Sequence, residues 1–148
     1  MRARVAPDER AALATWVSQP QLALFDSMHV ADRRHGLDVV ASLRAQGVTD
    51  SDVLVAGLLH DAGKGDTGLL PRVAWTLGER YGAWVWSIAS VVPGYRTALS
   101  RLRSHAETSA GLAAAAGCSV LTVNLIRHQS APTDPQFGEL LRLADEAN

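Results

Sequence analysis

The sequence predicts an all-α fold, a single-domain helical bundle spanning residues 1–148. Three observations carry that expectation. Apolar residues recur at helical spacing along most of the chain. Short loops rich in Gly and Pro separate the segments so marked. Apolar runs that could be read as strands, such as Val85 to Ile88, have no turn-delimited partner runs nearby. Helices joined by short loops without a sheet pack as a bundle.

The elements follow in order. Asp8 to Val17 carries Leu13, Trp16 and Val17 on one side and ends before Pro20. A longer helix is expected from about Gln21 to Gln46, with Leu22, Phe25, Met28, Leu37, Val40 and Leu43, stopped by Gly47. Thr49 or Asp50 caps the next helix, which runs through Leu54, Leu58 and Leu59. Gly63, Gly65 and Gly68 then end it in a loop that carries Lys64 and Asp66. Pro71 suits the first turn of a helix through Val73, Trp75, Leu77 and Tyr81, and Ala83 to Val92 forms another, closed by Pro93-Gly94. Ser104 opens an alanine-rich helix with Glu107 completing a capping box, which places His105 in the first turn. Gly117 ends that helix. Ser119 to Gln129 follows, then a loop with Pro132 and Pro135, then a last helix from about Gln136.

Composition narrows the function classes. Apolar residues make up 47% and charged residues 20% of the 148, which suits one globular domain with a sizeable core. Fourteen basic and 15 acidic residues leave a net charge of -1, which gives no reason to expect a general nucleic-acid or membrane surface. One cysteine, Cys118, excludes an internal disulfide and a thiolate zinc cluster, and it is expected to be buried and inert. No signal-peptide pattern follows the first arginines, and no run approaches the roughly 18 apolar residues of a membrane span. A cytoplasmic location is the expectation.

Six residues stand out as donors that can converge: His35, His60, Asp61, His105, His128 and Asp145. Imidazole and carboxylate oxygen suit first-row divalent ions. All six fall on predicted helices among apolar neighbours, and buried polar groups need a partner. An ion supplies one. Adjacent helical residues point about 100° apart, so His60 and Asp61 can embrace an ion only where several helices meet, with Asp61 able to bridge two. Lys64, one turn on, can overhang the same point. Asp32, one turn before His35, is placed to orient its imidazole. His29 is off the face of His35 and is read as structural or exposed. Trp75, Trp84 and Trp86 are read as core rather than as a stacking platform. Arg96, Arg101 and Arg103 are assigned no role.

The segments Asp32-Arg33-Arg34-His35-Gly36, Leu58-Leu59-His60-Asp61-Ala62-Gly63-Lys64 and Leu143-Ala144-Asp145 give the order His, then His-Asp, then a distant Asp. In this the chain resembles the HD-domain superfamily of metal-dependent phosphohydrolases. The resemblance runs from about His35 to Asp145, within a core of about 21–148. It implies a helical bundle of the HD type, with His35, His60, Asp61 and Asp145 as the minimal metal site and His105 and His128 where binuclear members supply ligands to a second ion. The single histidine of Arg127-His128-Gln129, the absence of Gly-Tyr-Pro after it, and Gly65-Asp66 in place of an acidic pair match neither the cyclic-di-nucleotide nor the guanosine-polyphosphate branch. The resemblance therefore implies the superfamily and leaves the branch open.

The implied activity is hydrolysis of a phosphomonoester or phosphodiester in a nucleotide-like small molecule. One or two ions (Mn, Fe, Ni, Co, Mg or Zn) would act as Lewis acids and activate water. Asp61 and Lys64 are the candidates for catalysis, with Lys64 neutralising charge on the phosphoryl group. Arg72, Arg33 and Arg127, and also Arg34, are candidates to grip phosphate. Two alternatives share these residues: an HD-type mixed-valent di-iron oxygenase with the same ligand order, and a non-catalytic module that binds a nucleotide or a partner protein.

Overall fold

Residues 3–64 and 98–148 are described by the structure, a computed structural model; for 98–104 it describes the backbone alone. Among the described residues there are seven helices and no strand. They are α1 (Pro7–Leu13), α2 (Gln19–Ser27), α3 (Val30–Ala45), α4 (Ser51–Leu59), α5 (Ala98–Ala115), α6 (Val120–Arg127) and α7 (Gly138–Glu146). The all-α bundle expected from periodicity is what forms. The helices expected through Val73 to Tyr81 and over Ala83 to Val92, together with Arg72 and the three tryptophans Trp75, Trp84 and Trp86, lie outside the described residues.

Helix α4 is the axis of the bundle. Every residue from Val53 to Leu59 is buried, so this helix is apolar all round, as a central helix must be. Helices α3, α6 and α7 pack against it, α5 packs on α6, and α2 touches both α4 and α5. Leu24, Phe25, Val39, Leu43, Leu58, Leu59, Ile126 and Leu141 fill the space between them. At Gly36 the backbones of α3 and α4 come into near contact, because a Cβ there would lie 2.5 Å from the Leu58 carbonyl oxygen.

The single helix expected from about Gln21 to Gln46 is two. Met28 is extended (φ -69°, ψ 154°), and His29 caps α3 by accepting the Ala31 N–H on its ring Nδ1 at 3.2 Å. The Ser27 hydroxyl donates to the Leu24 carbonyl and competes with the helical ladder just before the break. No Gly or Pro marks this point, and the apolar pattern continues in phase across it, so periodicity passes over it. Helix α2 begins earlier than expected because Ser18 and Gln21 form a capping box, with Pro20 in the first turn where no N–H is needed. Asp50, one of the two residues read as a cap, does cap α4.

Helix α5 corrects a second expectation. It already runs at Ala98, so Ser104 is not its cap and His105 sits about two turns in rather than in the first turn. Ser104 and Glu107 have capping-box spacing, but nothing between Ala98 and Ser104 breaks a helix. Gly47 (φ 86°) and Gly117 (φ 75°) end α3 and α5 in left-handed turns, with Val48 N–H bonding to Leu43 O and Cys118 N–H to Ala113 O. Among the described residues no helix is long and apolar enough to cross a membrane.

Candidate metal centre

The candidate ligands do not all lie within helices, as the periodicity had suggested. His60 is the C-cap of α4, Asp61 to Lys64 form the turn after it, and His128 is the C-cap of α6. The turn is tight: Ala62 N–H bonds to Leu59 O and Lys64 N–H to Asp61 O, both at 2.9 Å. It is tight because it must meet α5. A Cβ on Gly63 would lie 2.7 Å from the Ser109 nitrogen and 2.8 Å from Thr108 Cγ2, so only glycine fits without displacing α5.

His35 from α3, His60 from the end of α4 and Asp145 from α7 converge. One ligand atom from each lies within 4.8 Å of the others, a group able to hold a metal ion. His35 Nε2 is 2.8 Å and His60 Nε2 3.2 Å from the same oxygen, Asp145 Oδ1. The two imidazoles meet edge to face at 5.2 Å. Asp61 adjoins this group, with Oδ1 3.7 Å from His60 Nε2 and 3.0 Å from His105 Nε2. Its other oxygen, Oδ2, accepts from Lys64 Nζ at 3.0 Å. Asp61 thus stands between the three-residue group and His105.

The donor chemistry fits an ion. His60 Nδ1 donates to the Gly57 carbonyl at 2.9 Å, the arrangement that orients a metal-binding histidine and leaves Nε2 as the donor. His60 is 1% exposed, and its Nε2 faces a carboxylate. That atom must carry either a second proton or a cation. Burial lowers the basicity of His60, but the hydrogen bond to Asp145 and the charges of Asp61 and Asp145 outweigh it, and its pKa stands above the ordinary histidine value. Burial pushes the Asp61 carboxyl up. His105, His60 and Lys64 more than reverse that and hold it well below the usual carboxylate range. The hydrogen bond from His60 leads in lowering Asp145. The Lys64 ammonium is favoured by Asp61, with Asp32 and Asp145 adding to it against a desolvation cost. Its side chain is 56% exposed, so it lies at the rim.

The other candidates are placed as follows. His105 is half-buried on α5 and touches Asp61. His128 is half-buried and stands outside the three-residue group. Arg34 is turned to structural use: it bonds Glu9 at 2.7 Å and Asp38 at 2.8 Å, tying α1 to α3. Arg127 pairs with Glu107 at 3.2 Å on the surface. Arg33 leaves α3 about 200° round from His35, and among the described residues its buried Nε has no hydrogen-bond partner. Asp32 faces Lys64 electrostatically, while the bonded partner of His35 is Asp145. His29 is exposed and structural, as its capping role requires.

Sequence reasoning missed the residues that hold the candidate ligands in place. Gln129 Nε2 donates to the His60 carbonyl at 3.3 Å, and Ser109 Oγ accepts the Gly63 N–H at 2.8 Å. Asn148 Nδ2 donates to Ser42 Oγ at 2.8 Å and to Ala144 O at 2.7 Å, which ties the end of α7, and so Asp145, to α3. Small polar residues one turn from a candidate ligand, as Ser109 is from His105, were the available signal. Comparison with known proteins finds no match to this chain: no family model, no curated protein and no solved structure.

Proposed function

We propose that this chain is a metal-dependent phosphohydrolase of the HD type, acting on a phosphomonoester or phosphodiester in a nucleotide-like small molecule. The observation that carries the reading is the convergence of His35, His60 and Asp145 from three separate helices, with Asp61 beside them. Local sequence does not bring such residues together by chance of helical phase.

A divalent ion bound there would supply Lewis acidity and lower the pKa of water. The protein's own part is division of labour. His35, His60 and Asp145 form the cradle, with the His60 tautomer set by Gly57 O. Asp61 stays ionised under the influence of His105, His60 and Lys64, so it can accept a hydrogen bond from attacking water or join the cradle. Lys64, half out in solvent, offers its ammonium to an incoming phosphoryl oxygen. The contact between Asp61 and His105 supports a place for a second ion.

The test is a screen of phosphorylated metabolites, reading phosphate or phosphomonoester release, with Mn²⁺, Co²⁺, Ni²⁺, Mg²⁺ or Fe²⁺ restored to the metal-free chain. His60→Ala and Asp61→Ala should each abolish metal binding and turnover; activity retained in both would refute the site. A coupled di-iron resonance with oxygen uptake and no phosphate release would replace hydrolysis by oxygenation. A chain that binds no divalent ion under aerobic or anaerobic preparation would be a binding module instead.

A further inference from the structure

We propose that Ser109 and Gln129 are positioning residues of the metal centre, which pin the two ends of the His60–Gly63 turn and so set where Asp61 stands. The inference rests on the metal-centre reading above and goes beyond it to residues that touch neither ion nor substrate.

The turn leaves α4 at its C-cap, where two short-range bonds, Ala62 N–H to Leu59 O and Lys64 N–H to Asp61 O, replace the helical ladder. Two side chains from elsewhere add to them. At its start, Gln129, just past the end of α6, donates to the His60 carbonyl at 3.3 Å. At its far end, Ser109 accepts the Gly63 N–H at 2.8 Å and is 0% exposed. Ser109 lies one helical turn after His105 on α5, so both face the same turn. His105 holds the Asp61 carboxylate, 3.0 Å from its Nε2, while Ser109 holds the backbone two residues further on. Gly63 permits this by having no Cβ to push α5 away. A single helix thereby holds the Asp61 side chain and the backbone of the same turn two residues on, at Gly63.

An equivalent bond elsewhere provides the control. Thr122 is also 0% exposed, and its hydroxyl donates to the Asp52 carbonyl at 2.8 Å. That bond lies at the opposite end of α4, away from His60. Ser109→Ala removes the bond to the Gly63 N–H, and Thr122→Val removes the bond to the Asp52 carbonyl together with the one accepted from Ser119 Oγ at 3.2 Å, so a general loss of stability would affect Thr122→Val at least as much.

The experiment titrates Co²⁺ into the metal-free full chain, reading affinity by calorimetry and ligand geometry by visible absorption. Ser109→Ala is expected to weaken Co²⁺ binding at least tenfold and alter the absorption bands. Thr122→Val should stay within twofold with unchanged bands. If Ser109→Ala does not fold, Gln129→Ala serves in its place, with an expected loss of at least threefold. Binding within those limits of wild type in the variant used, or equal losses in it and in Thr122→Val, overturns the inference alone. A wild-type chain that binds no metal overturns the metal-centre reading and this inference with it.

Discussion

Replacing Gly36 by alanine tests whether the packing of α3 on α4 is what brings His35 to His60. The added Cβ would lie 2.5 Å from the Leu58 carbonyl oxygen, about 0.9 Å short of the 3.4 Å at which ordinary contact begins. Its neighbour is helical backbone, which cannot rotate aside as a side-chain tip can. The two helices must part by several tenths of an ångström, and overpacking of this kind costs about 1–3 kcal/mol. Alanine recovers about 1 kcal/mol of helix propensity, so a net loss of about 0–2 kcal/mol is expected. For a chain of this size that is a fall in Tm of up to roughly 8 °C. Function should suffer beyond stability. His35 is the next residue to Gly36, and Leu58 is two residues before His60, so the same displacement opens the gap between the two imidazoles. Metal sites tolerate ligand shifts of only about 0.2 Å, and affinity for a divalent ion should fall at least tenfold. Chemical denaturation of the metal-free chain gives the first quantity and calorimetric metal titration the second. A variant as stable as wild type with unchanged metal affinity would show that the approach at Gly36 does not set the site.

Two further outcomes follow from the same geometry. In the metal-free chain His60 has a pKa raised above 6.5, so its contribution to stability is full below pH 6.5 and is lost as pH rises through the raised value. Asp61 and Asp145 are lowered from 3.8, so theirs is full above pH 3.8 and is lost as pH falls through the depressed values. Thermal melting with chelator should therefore show a plateau between about pH 3.8 and 6.5 with a fall on the alkaline side, and a bound divalent ion should remove that fall by taking the proton's place; a metal-free Tm that stays level from pH 6 to 9 would contradict this. Cys118 has its pKa pushed up to about 11 by burial, with the Gln21 amide 3.6 Å from its sulfur. Against an ordinary value of 9.0 the thiolate fraction at neutral pH is about a hundredfold lower, so a disulfide reagent should label the folded chain at least that much more slowly than the chain in denaturant; equal rates would show the thiol to be accessible.

The donor residues were readable because chemistry constrains residue type. Histidines and aspartates set among apolar neighbours invite a partner, and the order His35, His60-Asp61, Asp145 could be read without knowing how the helices cross. Helical class was equally accessible, since a repeat of 3.6 is a local property. What escaped was whatever depended on contacts distant in sequence. The break at Met28–His29 carries no glycine or proline and is held by a histidine cap and a serine that competes for a carbonyl. Ser104 has the spacing of a cap, yet the helix runs through it.

Sequence alone determined that this chain is helical and that its candidate ligands are imidazoles and carboxylates. Tertiary structure decided which atoms meet. It ended α4 at His60 instead of at the glycines beyond, because Gly63 must lie against Ser109. It joined His35, His60 and Asp145 in one group, gave Asp61 to His105 and Lys64, and left His128 at the end of α6 outside that group. It also turned Arg34 from a candidate phosphate contact into a clamp on Glu9 and Asp38. Side-chain type is written residue by residue. Distances between residues as far apart as His35 and Asp145 are set by how whole helices pack, and no local pattern encodes them.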